Sequence, residues 1–186
     1  MSGSGHGTWG WHRLAPAWAD RLVADAGLTP GDLVLDIGAG TGAVTAPLVA
    51  TGARVIAVEL HPGRAAALRR RFAGDDVVVV HADAGDLRLP RRPFRVVASV
   101  PFAQTTAILG RLLAPGSRLV RADVVVQRAA ARRWAEGRAP GAGRWARHYA
   151  VGLGRRVPRQ AFTPPPKVDC AVLHIERSVS RAKARR

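Results

Sequence analysis

A chain of 186 residues with 47% hydrophobic side chains suits one domain with a sizeable core, which excludes wholesale disorder. Its formal net charge of +16 points to a polyanionic partner such as nucleic acid, with a solvated basic surface as the plainer alternative. Cys170 is the only cysteine, so an intramolecular disulfide is excluded, no apolar run reaches membrane-spanning length, and the scattered histidines lack metal-ligand spacing. A monomeric protein without metal or membrane attachment is expected.

Residues 1–14, "MSGSGHGTWGWHRL", read as a flexible Gly-rich segment without the apolar centre of a signal peptide, which fits a cytoplasmic location. Helical periodicity runs from Ala15 to Ala26 with Leu22 and Val23 inward, and "LTPGD" (28–32) is a turn. The chain then alternates strand and helix. "LVLDIG" (33–38) is a strand followed by a helix from near Gly42; "ARVIAVEL" (53–60) is a second strand, followed by an Arg-rich helix from His61 to about Phe72. "DVVVVHADA" (76–84) and "FRVVASV" (94–100) are further strands, a helix spans about Ala103 to Leu113, and "RLVRADVVVQ" (118–127) is a fifth strand. An Arg-rich segment (128–138) leads into "GRAPGAG" (137–143), read as a flexible loop. "HYAVGLGRRV" and "VDCAVLHIER" follow as two strands with no helix between them, which predicts an antiparallel pair at one sheet edge. Residues 178–186 form a basic tail.

Val-rich runs without period-two alternation suit strands covered on both faces. The expected architecture is α/β: a doubly wound, mostly parallel, seven-stranded Rossmann-like sheet with an antiparallel edge strand, over residues 15–177.

In such sheets ligands bind beyond the carboxyl ends of the strands. The first strand ends in Asp36-Ile37-Gly38-Ala39-Gly40-Thr41-Gly42, where glycines let the backbone turn tightly against a ligand. The second ends in Glu59-Leu60, with a carboxylate placed for ribose hydroxyls, and the third in Asp83-Ala84, placed for an adenine amino group. The glycines also satisfy a dinucleotide fingerprint, with an acid about 20 residues on. Asp36, Asp83 and the turn after the fourth strand favour S-adenosylmethionine over a dinucleotide. That turn is Ser99-Val100-Pro101-Phe102.

An exocyclic amine on adenine or cytosine is a poor nucleophile because its lone pair is delocalised into the ring. Acceptors that take its hydrogens draw the nitrogen towards tetrahedral geometry, and an aromatic ring aligns the base for transfer. Ser99 supplies an acceptor oxygen, Pro101 fixes the turn and Phe102 is placed to stack. In "FTPPPKV" (162–168), three prolines stiffen a loop; Phe162 is expected to face the other side of the base, the alternative being that it fills core.

Together, "LDIGAGTGAVTAPL", "ARVIAVELHP", "DVVVVHADAGDLRLP", "VVASVPFAQTTAILGRLL", "ADVVVQRAAARRWA" and "GRRVPRQAFTPPPKVDCAVLHIER" resemble the ribosomal RNA adenine N6-methyltransferases. These comprise the small-subunit dimethylases and the Erm-type enzymes of macrolide resistance, and "RPFRVVA" with "FTPPPKVD" leans to the Erm branch. The resemblance implies S-adenosylmethionine held by Asp36, Gly38, Ala39, Gly40, Glu59, Leu60, Asp83, Ala84 and Ser99, and a target adenine gripped by Ser99, Pro101, Phe102 and Phe162. It implies methylation of an adenine N6 in 23S ribosomal RNA, free or in an incomplete particle. Alternatives are a cofactor- and RNA-binding protein with little turnover, or a methyltransferase for another base or a small molecule. The chain departs from the family in three ways. Trp11-His12-Arg13-Leu14 stands where the family has Gln-Asn-Phe-Leu, Ser99 stands where Asn is usual, and the chain ends nine residues after Arg177, where the family usually continues into a small helical RNA-binding domain. RNA grip is therefore expected from Arg128, Arg132, Arg133, Arg138, Arg144, Arg147, Arg155, Arg156 and Arg159.

Overall fold

The computed structural model describes residues 11–178. In chain order the elements are β1 (Arg13–Leu14), α1 (Pro16–Ala26), β2 (Leu33–Ile37), α2 (Thr45–Ala50), β3 (Arg54–Glu59), α3 (Pro62–Arg71), β4 (Val77–His81), β5 (Phe94–Ser99) and α4 (Thr105–Leu112). β6 (Leu119–Gln127), α5 (Arg128–Ala135), α6 (Ala142–Trp145), β7 (Tyr149–Val157), β8 (Phe162–Thr163) and β9 (Cys170–Arg177) complete them. A seven-stranded sheet has the order β4-β3-β2-β5-β6-β9-β7. β2 to β6 pair in parallel, and β9 pairs antiparallel with both β6 and β7. The pair β7–β9 closes one edge as the sequence predicts, with β9 the strand that runs against the rest.

Side chains alternate along each strand, yet on the inner strands β2, β3, β5, β6 and β9 both faces are largely buried, which explains their apolar runs, whereas Val78 and Leu153 on the edge strands β4 and β7 are exposed. Val34, Val97 and Val125 pack under α1 and α2, and Ala57 under α3. Leu35, Val96 and Val124, one residue along, pack under α4, α5 and α6 on the opposite face. Helices on both faces leave the strand tips as the open end of the domain.

The structure adds one helix to the sequence reading and corrects two local expectations. The Arg-rich segment 128–138 contains a helix, α5, because Ala131 and Trp134, one turn apart, bury a stripe beneath its arginines. Trp134 stacks on Trp145 of α6 at 5.4 Å, and Trp145 Nε1 donates to the Pro140 carbonyl, so the loop 137–143, expected to be flexible, is anchored through Pro140 and the buried Ala139 and runs into α6. Residues 11–14, expected within a flexible segment, are likewise tied down: β1 pairs antiparallel with β8, matching Arg13 with Thr163 and Leu14 with Phe162. The rest of that segment, Trp9 included, and the basic tail from residue 179 lie outside the described residues.

Candidate active site

The tips of β2, β3, β5 and β6 surround a cavity of about 670 Å³. Asp36, Gly38 and Ala39 reach its wall from β2 and the loop beyond, Glu59 and Leu60 from β3, and Ala84 from the stretch after β4. Ser99, Pro101 and Phe102 form the wall beyond β5. The structure thus brings most of the sequence-expected residues into one hollow of the size that ligand-binding clefts have.

The glycine loop is fastened to β3, since the Gly38 and Ala39 N–H groups both donate to the Val58 carbonyl at 2.8 and 3.0 Å. Gly38 has φ +78°, and a Cβ there would stand 2.7 Å from Pro101 Cδ, so the loop and the turn after β5 approach too closely for any side chain. Gly40 (φ +59°) is equally confined; its missing Cβ would lie 2.5 Å from Trp11 Nε1.

Each acid is already positioned by the chain. Glu59, only 4% exposed, accepts from the Gly40 N–H at one oxygen (2.8 Å). Its other oxygen accepts from the His61 N–H (2.8 Å) and from Arg64 Nε and Nη2 (3.0 and 2.9 Å). Asp83 accepts from the Gly85 N–H at 2.8 Å and from Gln104 Nε2 at 3.3 Å. Asp36, 1% exposed, accepts from Thr45 Oγ1 at 2.6 Å. Burial pushes its carboxyl up to about 7; the Thr45 hydrogen bond works against this and the neighbouring Glu59 charge adds to it.

Beyond β5 the wall is mostly apolar. Ser99 is half-buried, and its hydroxyl makes no hydrogen bond within the described protein. Phe102 is flanked by His12, nearly parallel at 5.5 Å, and by Phe162, edge-on at 6.1 Å. Pro165, Pro166 and Lys167 complete that side.

Three expected site residues stand behind the wall. Gly40 meets Trp11 and Glu59, and Asp83 lies between Ala82 and Ala84, which do reach the cavity. Phe162 is a correction: it is 3% exposed in the core under α1 and buttresses Phe102 instead of facing a base. Because β8 pairs with β1, Phe162 turns inward and Thr163 outward. Sequence reasoning missed Arg64, Gln104 and Gln127, which also line the hollow. Gln104 stands two residues after Phe102 and Arg64 five after Glu59, so both lie within a turn or two of residues that were singled out.

Carboxylates at neighbouring strand tips, a glycine turn and room beyond them fit a nucleoside-bearing cofactor such as S-adenosylmethionine, with an aromatic shelf for a second flat ring. Among the described residues, no group of three or more His, Cys, Asp or Glu side chains is arranged to hold a metal ion, and no helix is long and apolar enough to cross a membrane. Cys170 is buried in β9, where burial and then Asp169 push its thiol up to about 12, so it is an inert core residue.

The family described as "Ribosomal RNA adenine dimethylase" matches residues 15–185. The chain is 40% identical over 160 residues to the mycinamicin-resistance protein MyrB of Micromonospora griseorubida, covering 84% of this chain and 50% of MyrB. It is 38% identical over 169 residues to ribosomal RNA small subunit methyltransferase A of Gloeobacter violaceus, covering 84% of this chain and 61% of the relative. Among solved structures, it superposes on the 23S rRNA methyltransferase ErmE with a TM-score of 0.76 at 30% identity, covering 88% of this chain and 68% of that one. The chain spans between half and about three fifths of the length of these curated relatives.

Proposed function

The chain belongs to the ribosomal RNA adenine dimethylase family, and from that premise we propose that it methylates an adenine N6 of ribosomal RNA, in the 23S molecule, at the cavity beyond its strand tips. The observation that carries the reading is the cavity's two-sidedness. Acid-bearing tips of β2 and β3 face the Ser99-Val100-Pro101-Phe102 turn across one continuous hollow.

Bound S-adenosylmethionine supplies an electrophilic methyl that carries its own leaving group, so the reaction calls for no metal and no strong base. Glu59, on the cavity wall, is the residue that would hold its ribose, kept in position by main-chain N–H donors. Phe102 stacks on the target base, and Ser99 Oγ, unclaimed within the described protein, accepts a hydrogen of the exocyclic amine. The target must leave its stack to reach this depth, which favours a loop or an incompletely assembled particle as substrate.

Arg128, Arg132, Arg133, Arg144, Arg147 and Arg159 are exposed, and their side chains make no hydrogen bond or salt bridge among the described residues, so they are available to RNA phosphates. Arg138, Arg155 and Arg156 are instead engaged by Glu136, Asp25 and Asp169. We take residues 15–177 as the methyltransferase unit, acting as a cytoplasmic monomer, with Erm-type resistance as the biological reading that MyrB and ErmE support.

The test is transfer of labelled methyl groups to 23S RNA, 16S RNA and incomplete ribosomal particles, with the product digested to nucleosides and the position mapped by reverse-transcription stops. Label recovered as N6-methyladenosine in 23S RNA is expected. Phe102→Ala should lower transfer about 10- to 100-fold without changing S-adenosylmethionine affinity, as loss of one base-stacking ring implies. Label in 16S RNA alone would move the target to the small subunit. A folded protein that binds S-adenosylmethionine and RNA yet transfers nothing would overturn the enzymatic reading.

A further inference from the structure

One face of the Phe102 shelf is already taken. The His12 ring lies against it with centroids 5.5 Å apart and planes only 22° from parallel, while Phe162 closes off an edge. A base sandwiched between two rings needs twice the 3.4 Å stacking rise, about 7 Å. His12 and Phe102 are too close to admit one.

His12 is also built into this position. Its Nδ1 lies 2.8 Å from the Pro164 carbonyl oxygen, and a carbonyl only accepts, so Nδ1 carries the hydrogen and donates it. The next two residues pair with Phe162 and Thr163 in the β1–β8 ladder. The imidazole is thus held by a stack, a hydrogen bond and its own backbone, while remaining half-buried on the cavity wall.

We infer that His12 is a placeholder for the target base: it occupies the stacking face of Phe102 when no base is present and must be displaced for the base to seat. The inference rests on the methyltransferase reading, which makes Phe102 the base's platform. It assigns His12 a role in setting the affinity for a seated base. A base enters only if its own stacking and hydrogen bonds outweigh those the imidazole gives up. That cost is the same whichever base arrives, so it sets how strongly any base must stack to seat, while the preference among bases stays with Phe102 and the base's own contacts.

The probes are two single-stranded RNAs, one with a single 2-aminopurine and one with a single fluorescent cytosine analogue, titrated into wild-type protein, His12→Ala and His12→Phe. Removing the competitor should tighten 2-aminopurine RNA binding by about twofold to tenfold, the range to which one aromatic pair's stacking advantage converts. The gain should be the same for the cytosine analogue, because the ring given up is the same. His12→Phe retains a stacking ring but not the bond to Pro164, so it should fall between wild type and His12→Ala. A cooperative thermal transition within a few degrees of the wild type's, with unchanged S-adenosylmethionine affinity, establishes that the variants are folded. In the wild type, the ring-current shift that Phe102 imposes on the His12 protons should vanish as 2-aminopurine RNA saturates the protein. Weaker or unchanged RNA binding by His12→Ala, or a ring-current shift that persists in the complex, would overturn the proposal. Methyl transfer measured alongside keeps the two readings apart: an active wild type with unaltered base affinity in His12→Ala removes the placeholder alone, whereas an inactive, folded wild type removes the enzymatic reading.

Discussion

On the side of the cavity formed by β2, β3 and β4, every carboxylate has already been given donors by the chain: Thr45 for Asp36, Gly40, His61 and Arg64 for Glu59, Gly85 and Gln104 for Asp83. On the side formed by β5 and the loop before β9, rings and prolines dominate, and the Ser99 hydroxyl has no partner among the described residues. One half fixes directions before anything binds; the other presents surface and leaves the Ser99 hydroxyl and the Lys167 ammonium without partners among the described residues. The contrast suits a resident cofactor, which is always the same molecule, facing a target that arrives as part of a large RNA and brings its own flat face.

Removing Glu59 should break this contrast most severely. Glu59→Ala deprives the buried Gly40 N–H and the Arg64 guanidinium of their acceptor at once. Loss of one partner from a largely buried pair costs about 3 kcal/mol or more. In a chain of this size that is a fall in melting temperature of roughly 6 °C or more, and S-adenosylmethionine binding should be lost with it. Calorimetric melting and titration together check this. A variant that melts like the wild type would show that the acid side is no more preset than the base side.

A smaller effect separates the acids from one another. The Asp36 carboxyl is raised from its ordinary 3.8 to about 7 because it is buried. Between about pH 4 and 7 the folded protein holds a proton that the unfolded chain has released. This residue's contribution to stability is therefore full below that window and is lost as pH rises through it, by at most about 4 kcal/mol. Asp36→Asn has nothing to titrate. Urea unfolding at a series of pH values should show the variant gaining on the wild type as pH rises from 5 to 8. Parallel curves would mean that Asp36 is ionised throughout and belongs with Glu59 as a preset anion.

The same division governs how much could be read in advance. The acid side was legible because each of its residues sits at or just past a strand tip, so a strand ending in Asp36-Ile37-Gly38 or in Glu59 announces its own place. The base side draws on segments far apart in sequence. His12 meets Pro164 and Phe102, and only the β1–β8 pairing, invisible in a two-residue strand, turns Phe162 into the core. A glycine-rich start made residues 11–14 look loose, although two of them form a ladder. In α5 the arginines mask the Ala131–Trp134 stripe, which gains meaning only once Trp145 is folded against it.

The finest probe of the contrast is Ser99, whose hydroxyl at the tip of β5 has no partner among the described residues. A neutral hydrogen bond contributes about 0.5–1.5 kcal/mol, so Ser99→Ala should slow methyl transfer by about 2- to 10-fold while cofactor affinity and melting temperature stay where they were. Ser99→Asn extends the acceptor on a longer stem from the same strand tip. It should raise the share of dimethylated over monomethylated adenine, measured by mass spectrometry of the digested RNA. If Ser99→Ala instead transfers methyl groups at the wild-type rate, the base side contributes no side-chain hydrogen bond from this position. Alignment of the amine then falls to stacking on Phe102 and to main-chain acceptors, and the two halves of the cavity differ more sharply than their side chains suggest.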